Sequence, residues 1–210
     1  MIEIRKRDSS QILLRVFKDS LVGHSFSAVN LDSPDFSAMS LADVSMMHAC
    51  LKNADFRESK LAAASFYRAL LTNVRFEGAE LTSADFAETV LIGVSFRNAD
   101  LQQAQFRYAR ITDVDFHGAD LRGANLTMAR ITGSFRGADL RNADLRSADL
   151  RDADLTDARF DGAKLARAQV VGAKLTPLHQ QLVQMTKDEV ALARSPASAA
   201  NERPWWKFWN

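Results

Sequence analysis

The sequence predicts a repeat solenoid with four-sided turns, and two observations carry that prediction. Every fifth residue from Leu21 to Ile131, and again from Phe135 to Val170 and Leu175, is bulky and apolar, almost always Leu or Phe. Leu and Phe also alternate at these centres, as in Leu51, Phe56, Leu61, Phe66, Leu71 and Phe76, so opposite sides of a four-unit turn share a residue type. A period of five matches neither the helical 3.6 nor the strand period of 2, which leaves an internal repeat as the explanation. Stacked repeat units bury one continuous core, each unit touching only its neighbours.

The elements follow in chain order. Over residues 1–18, Ile2-Glu3-Ile4 alternates, Asp8-Ser9-Ser10 is turn-like and the run from Ile12 to Phe17 suits a second strand. That pattern predicts a β-hairpin cap over the exposed first edge of the solenoid. Residues 19–175 form the solenoid itself, with 32 centres. Reading every twentieth residue gives the column Phe36, Phe56, Phe76, Phe96 and Phe116, continued by Phe135 after a break, and these are the expected structural core. The break is the four-residue step from Ile131 to Phe135 through Thr132-Gly133-Ser134, where one side of the square lacks a residue. Met39, Met46, Met47 and Cys50 at or near inward positions predict that the N-terminal coils are the less regular half. Thr176-Pro177 reads as a helix start, Thr as N-cap and Pro at the first helical position, for a helix over 176–194. That helix either closes the last coil or meets a second copy of the chain as a homodimer. Residues 195–210 have linker composition and then an aromatic tail.

The unit Ala-(Asp/Asn)-Leu-x-x, seen in Ala99-Asp100-Leu101, Ala119-Asp120-Leu121, Ala124-Asn125-Leu126 and the run from Ala138 to Leu155, resembles the pentapeptide-repeat family. The resemblance implies an all-β fold, a right-handed quadrilateral parallel β-helix. In it four units make one square turn, the central residue and the small residue two before it pointing inward. At four units per turn the chain would form about eight coils.

Composition limits the partners. The chain has 27 Lys and Arg against 26 Asp and Glu, and within 21–175 there are 18 basic and 20 acidic residues, so no bulk positive charge suggests direct nucleic-acid binding. The first residues carry no apolar signal core, and no run approaches the length of a membrane span, which predicts a cytoplasmic protein. Cys50 alone cannot form an intramolecular disulfide.

No residue pattern points to catalysis. His24, His48, His117 and His179 lie apart from one another and from Cys50, without metal-ligand spacing, so neither metal nor cofactor is expected. The many Asp residues recur with the repeat and serve corner hydrogen bonding. Gly78, Gly93, Gly118, Gly123 and Gly137 each follow a centre by two and belong to corners. Outward columns such as Arg57, Glu77, Arg97, His117 and Arg136 are either Arg paired to neighbouring Asp or a surface for an acidic partner.

The candidate interaction residues are Arg203, Trp205, Trp206, Lys207, Phe208 and Trp209, which hold all three Trp of the chain. Aromatic rings beside cations suit a pocket on a protein partner, a peripheral membrane contact, or a fold-back onto the chain's own solenoid. The reading is a non-catalytic scaffold or protein-interaction module of unknown partner. The resemblance supplies an alternative, that of the Qnr-type proteins, which imitate duplex DNA with an acidic rod and protect DNA gyrase from quinolones. A rod of net charge −2 with frequent outward Arg, and without a long inserted loop, departs from that pattern.

Overall fold

The computed structural model describes residues 1–176. Its strands are β1 (Ile2–Lys6), β2 (Ile12–Val16), β3 (Asn30–Asp32), β4 (Pro34–Asp35), β5 (Cys50–Lys52), β6 (Leu70–Thr72), β7 (Val90–Ile92), β8 (Arg110–Asp115) and β9 (Arg130–Ser134). β1 and β2 pair antiparallel, and β1 also pairs antiparallel with β4 on the first turn. The remaining strands form one parallel sheet in the order β3-β5-β6-β7-β8-β9. Among the described residues there is no helix, and the predicted helix over 176–194 and the tail over 195–210 lie almost entirely outside them.

Each turn takes 20 residues, 19 across the short step, and returns through four bridge columns, such as Ser25↔Ser45, Asn30↔Cys50, Asp35↔Asp55 and Ser40↔Lys60. The fold is thus an all-β parallel solenoid with four-sided turns. The regular strand ladder counts about five turns, one between each pair of its six strands, rather than the eight expected. Single bridges carry the same register outward from it, as far as Asp154↔Lys174. Regular strand ends at β9, and the next rung on that side, at Asp149, is joined by the single bridge Arg130↔Asp149.

The interior is made by the predicted centres. Phe36, Phe56, Phe76, Phe96, Phe116 and Phe135 are fully buried and stack with ring centroids 4.8, 5.0, 5.0, 5.1 and 4.6 Å apart. A neighbouring column, Phe66, Phe86 and Phe106, stacks at 4.9 Å and meets the first edge to face. Such spacings are those of adjacent parallel strands, so the repeat converts the strand separation into ring stacking. Ala and Val two places before each centre are buried behind the rings.

Two further expectations meet the structure here. The N-terminal coils are not less regular: Met46 occupies a centre and is fully buried, and bridges from Ser25↔Ser45 onward keep the 20-residue register. An unbranched thioether adapts to the space a Leu would take. The irregular place is instead the short step. There the register slips between β8 and β9, so that Val114 pairs Gly133 and Asp115 pairs Ser134. Gly133, at φ +133°, takes the inward position that Val114 holds one turn earlier, and any Cβ on it would overlap the Val114 backbone. The residue deleted is therefore the corner residue, and Gly is required because two backbones meet.

Candidate functional site

The corners and outward acids are consumed by the repeat. Asp55, Asp120, Asp139, Asp144 and Asp149 each accept the backbone N–H and the guanidinium of the Arg two places on, Arg57, Arg122, Arg141, Arg146 and Arg151. The Arg141, Arg146 and Arg151 hydrogen bonds hold the carboxyls of Asp139, Asp144 and Asp149 below the usual carboxylate range. At Asp55 burial pushes the carboxyl up, but the bonds from Arg57 and the charge of Arg75 outweigh it and the net shift is downward. Arg97 reaches Asp115 at 2.8 Å. Arg57 and Arg97 of the outward column thus pair with neighbouring Asp, as the pairing alternative in the sequence anticipated.

His24 lies edge-on to Phe26, ring centroids 4.6 Å apart, and serves the first coil rather than a ligand set. Among the described residues no group of three or more His, Cys, Asp or Glu is placed to hold a metal ion. No helix among them is long and apolar enough to cross a membrane. The tail residues Arg203, Trp205, Trp206, Lys207, Phe208 and Trp209 lie outside the described residues.

The sequence reading missed the outward residues of the six-stranded side. Its two exposed columns carry Cys50, Leu70, Val90, Arg110 and Arg130 on one, and Lys52, Thr72, Ile92, Thr112 and Thr132 on the other, set by the parallel register. Leu70 and Ile92 are each 40% exposed on this side. The corner that leads onto this side presents Tyr108 and Met128, 56% and 49% exposed. Reading positions 70, 90, 110 and 130 together would have found them, since Leu, Val, Arg and Arg replace the usual Asp or Asn before the centre.

The missing corner residue opens a groove on this side. A cavity of ≈ 370 Å³ lies among residues of β8, β9 and the following turn, including Arg110, Thr112, Arg130, Thr132 and Asp152. Elsewhere on this side the corner amide donates to the carbonyl of the next turn, as Gly93 does to Thr112 at 3.0 Å. At the step the Asp113 amide donates to the Thr132 hydroxyl Oγ1 instead, at 3.2 Å. Arg151 is held by Asp149, whereas no ion pair to Arg110 or Arg130 occurs among the described residues. Arg110 and Arg130 are paired rung to rung, which sets two cations about 5 Å apart at their backbones. The arrangement offers guanidinium and hydroxyl donors beside an apolar surface and no nucleophile with an activating base.

The family model for pentapeptide repeats matches 8 copies, over residues 25–62, 49–86, 59–98, 99–135 and 138–176. Among solved structures, HetL, a pentapeptide repeat protein involved in heterocyst differentiation regulation from the cyanobacterium Nostoc sp. strain PCC 7120, is 27% identical. The match covers 73% of this chain and 86% of that one, with a TM-score of 0.27. Trypsin-treated QnrB1, a plasmid-mediated fluoroquinolone resistance protein, is 18% identical over 80% of this chain and 95% of its own, with a TM-score of 0.47. A pentapeptide repeat protein of the Arabidopsis thaliana thylakoid lumen is 26% identical over 54% of this chain and 65% of its own, with a TM-score of 0.28. A comparison with curated proteins returns no match.

Proposed function

This chain belongs to the pentapeptide-repeat family, and from that premise we propose that it is a non-catalytic scaffold whose six-stranded side docks a protein partner. One observation carries the reading. On each side an Arg pairs with the Asp two places before it, yet the strand side leaves Leu70 and Ile92 exposed beside the Arg110 and Arg130 groove. Contiguous exposed apolar residues rimmed by polar ones mark interaction surfaces, whereas isolated ones carry no such meaning. Inward residues are spent on the core and Asp55, Asp120, Asp139, Asp144 and Asp149 on Arg pairs, and among the described residues no group of three or more His, Cys, Asp or Glu gathers to hold a metal.

The same pairing argues against imitation of duplex DNA, because a carboxylate held by a guanidinium presents little of the field of a phosphate row. The tail from Arg203 to Asn210 is proposed as a second contact, on sequence grounds alone.

Affinity capture from native lysate with three proteins tests the reading: the full chain, the Leu70→Glu/Ile92→Glu variant and a chain lacking Arg203 to Asn210. A partner retained by the full chain and lost from the strand-side variant supports it. Partners unchanged by the strand-side variant and lost with the tail would move recognition to the tail.

A further inference from the structure

We infer that the groove at the short step is the binding site for an acidic, extended segment of a protein partner, gripped by Arg110 and Arg130. The inference rests on the scaffold reading above and names the chemistry of the partner. Arg110 and Arg130 are exposed and stand in no ion pair among the described residues, Arg130 feeling only the charge of Asp149 on the next rung, whereas Arg57, Arg122, Arg141, Arg146 and Arg151 each bond a carboxylate directly. The two belong to adjacent rungs of one column, Arg110↔Arg130, so their like charges repel at short range and an anion between them relieves the repulsion. Planar guanidinium groups take carboxylates bidentately, which favours side-chain acids as the bound groups.

The surroundings select among anions. Asp149 and the exposed Asp152 line the same groove, so a flat anionic surface would bring its charge against them as well. A narrow chain can place its acids between the Arg residues and pass clear of those carboxylates. Tyr108 and Met128 at the corner, and Ile92 and Leu70 along the side, give the same chain apolar contacts beyond the charged grip. The strand backbones are already paired turn to turn, so recognition falls to side chains and not to an added strand. The missing corner residue is what makes room: one turn earlier Asp113 occupies the equivalent place at φ 53°.

The test measures fluorescence anisotropy of a fluorescein-labelled hexaglutamate peptide with the full chain at low salt, beside a hexaglutamine peptide and vesicles containing phosphatidylserine. Binding of hexaglutamate alone is expected, weakened about tenfold or more in Arg110→Gln/Arg130→Gln and unchanged in Arg146→Gln, whose parent guanidinium Asp144 already holds. All three residues are exposed, so unfolding does not confuse the result, and a melting curve for each variant checks this. Equal affinity in the double variant, or an equal loss in Arg146→Gln, overturns the proposal. So does Arg110- and Arg130-dependent sedimentation with vesicles in the absence of peptide binding. If lysate partners depend on Leu70 and Ile92 but not on Arg110 and Arg130, the acidic partner fails while the scaffold reading stands.

Discussion

Replacing Phe96 by Ala removes a ring with four aromatic neighbours, a number matched in the interior by Phe76 and Phe86. Phe96 is fully buried, stacks on Phe76 at 5.0 Å and on Phe116 at 5.1 Å, and meets Phe86 and Phe106 edge to face at 5.5 and 6.0 Å. Truncating a buried Phe costs about 3–5 kcal/mol, and aromatic pairs add about 0.5–1.5 kcal/mol each beyond the buried area. The neighbours are fixed by turns hydrogen-bonded on both sides, so the cavity cannot collapse and the cost falls in the upper half, about 4–5 kcal/mol. For a chain of this size that lowers the melting temperature by roughly 9–18 °C. Phe26→Ala is the internal comparison. Phe26 meets His24 and Phe36 only edge to face, at 4.6 and 5.7 Å, and has no stacked ring, so its loss should cost measurably less. Urea unfolding followed by circular dichroism measures both. A cost below about 2 kcal/mol for Phe96→Ala, or equal costs for the two variants, refutes the claim that the stacked columns hold the solenoid together.

Other expectations separate backbone, charge and surface. Gly133→Ala should be far worse than Gly137→Ala: the first drives a Cβ into the Val114 backbone, at about 3 kcal/mol or more, as read from the melting curve. At Gly137 a Cβ meets nothing within 4 Å, and only the left-handed backbone is penalised, at about 1–2 kcal/mol. The carboxyls of Asp139, Asp144, Asp149 and Asp154 sit below their ordinary value when folded, so the stability they contribute is present above about pH 4 and is lost as pH falls through the folded values. Urea midpoints should therefore hold from pH 7 to about 5 and decline below about 4. Asp139→Asn should lower the midpoint at neutral pH and make that decline shallower. Removing Arg203 to Asn210 and measuring liposome sedimentation with thermal stability separates the tail's roles: binding lost at unchanged stability rejects fold-back. A supercoiling assay with DNA gyrase, with and without ciprofloxacin, is expected to show neither inhibition nor protection.

Residues with a single physical duty were legible in the sequence. Phe76 or Leu81 recurs every 20 residues in its column because its neighbours above and below demand the same volume, and Gly78 and Gly118 announce corners because their backbone is left-handed. Outward positions obey no such constraint. Cys50, Leu70, Val90, Arg110 and Arg130 share one column, yet nothing in the five-residue unit distinguishes it from the other three sides. The extent of regular strand was equally hidden, since the buried centres recur alike on the side that forms it and on those joined by single bridges. The step at Gly133 was visible as a spacing, but its result was not. Only the register shows that the lost residue came from a corner, and that Arg110 and Arg130 border the gap.

That corner deletion also reveals how this architecture tolerates changes of length. Beyond the step the bridges Asp139↔Arg159 and Asp144↔Lys164 again join residues 20 apart, so the discrepancy is absorbed within one side of one turn and is not passed on. A corner behaves as an expansion joint: a residue lost or gained there leaves every later ring and rung in phase. One lost from between an inward small residue and its centre would throw each following side chain to the wrong face. Loop grafts or residue insertions between Thr132 and Gly133 are accordingly the places where this chain can be lengthened without rebuilding what lies beyond.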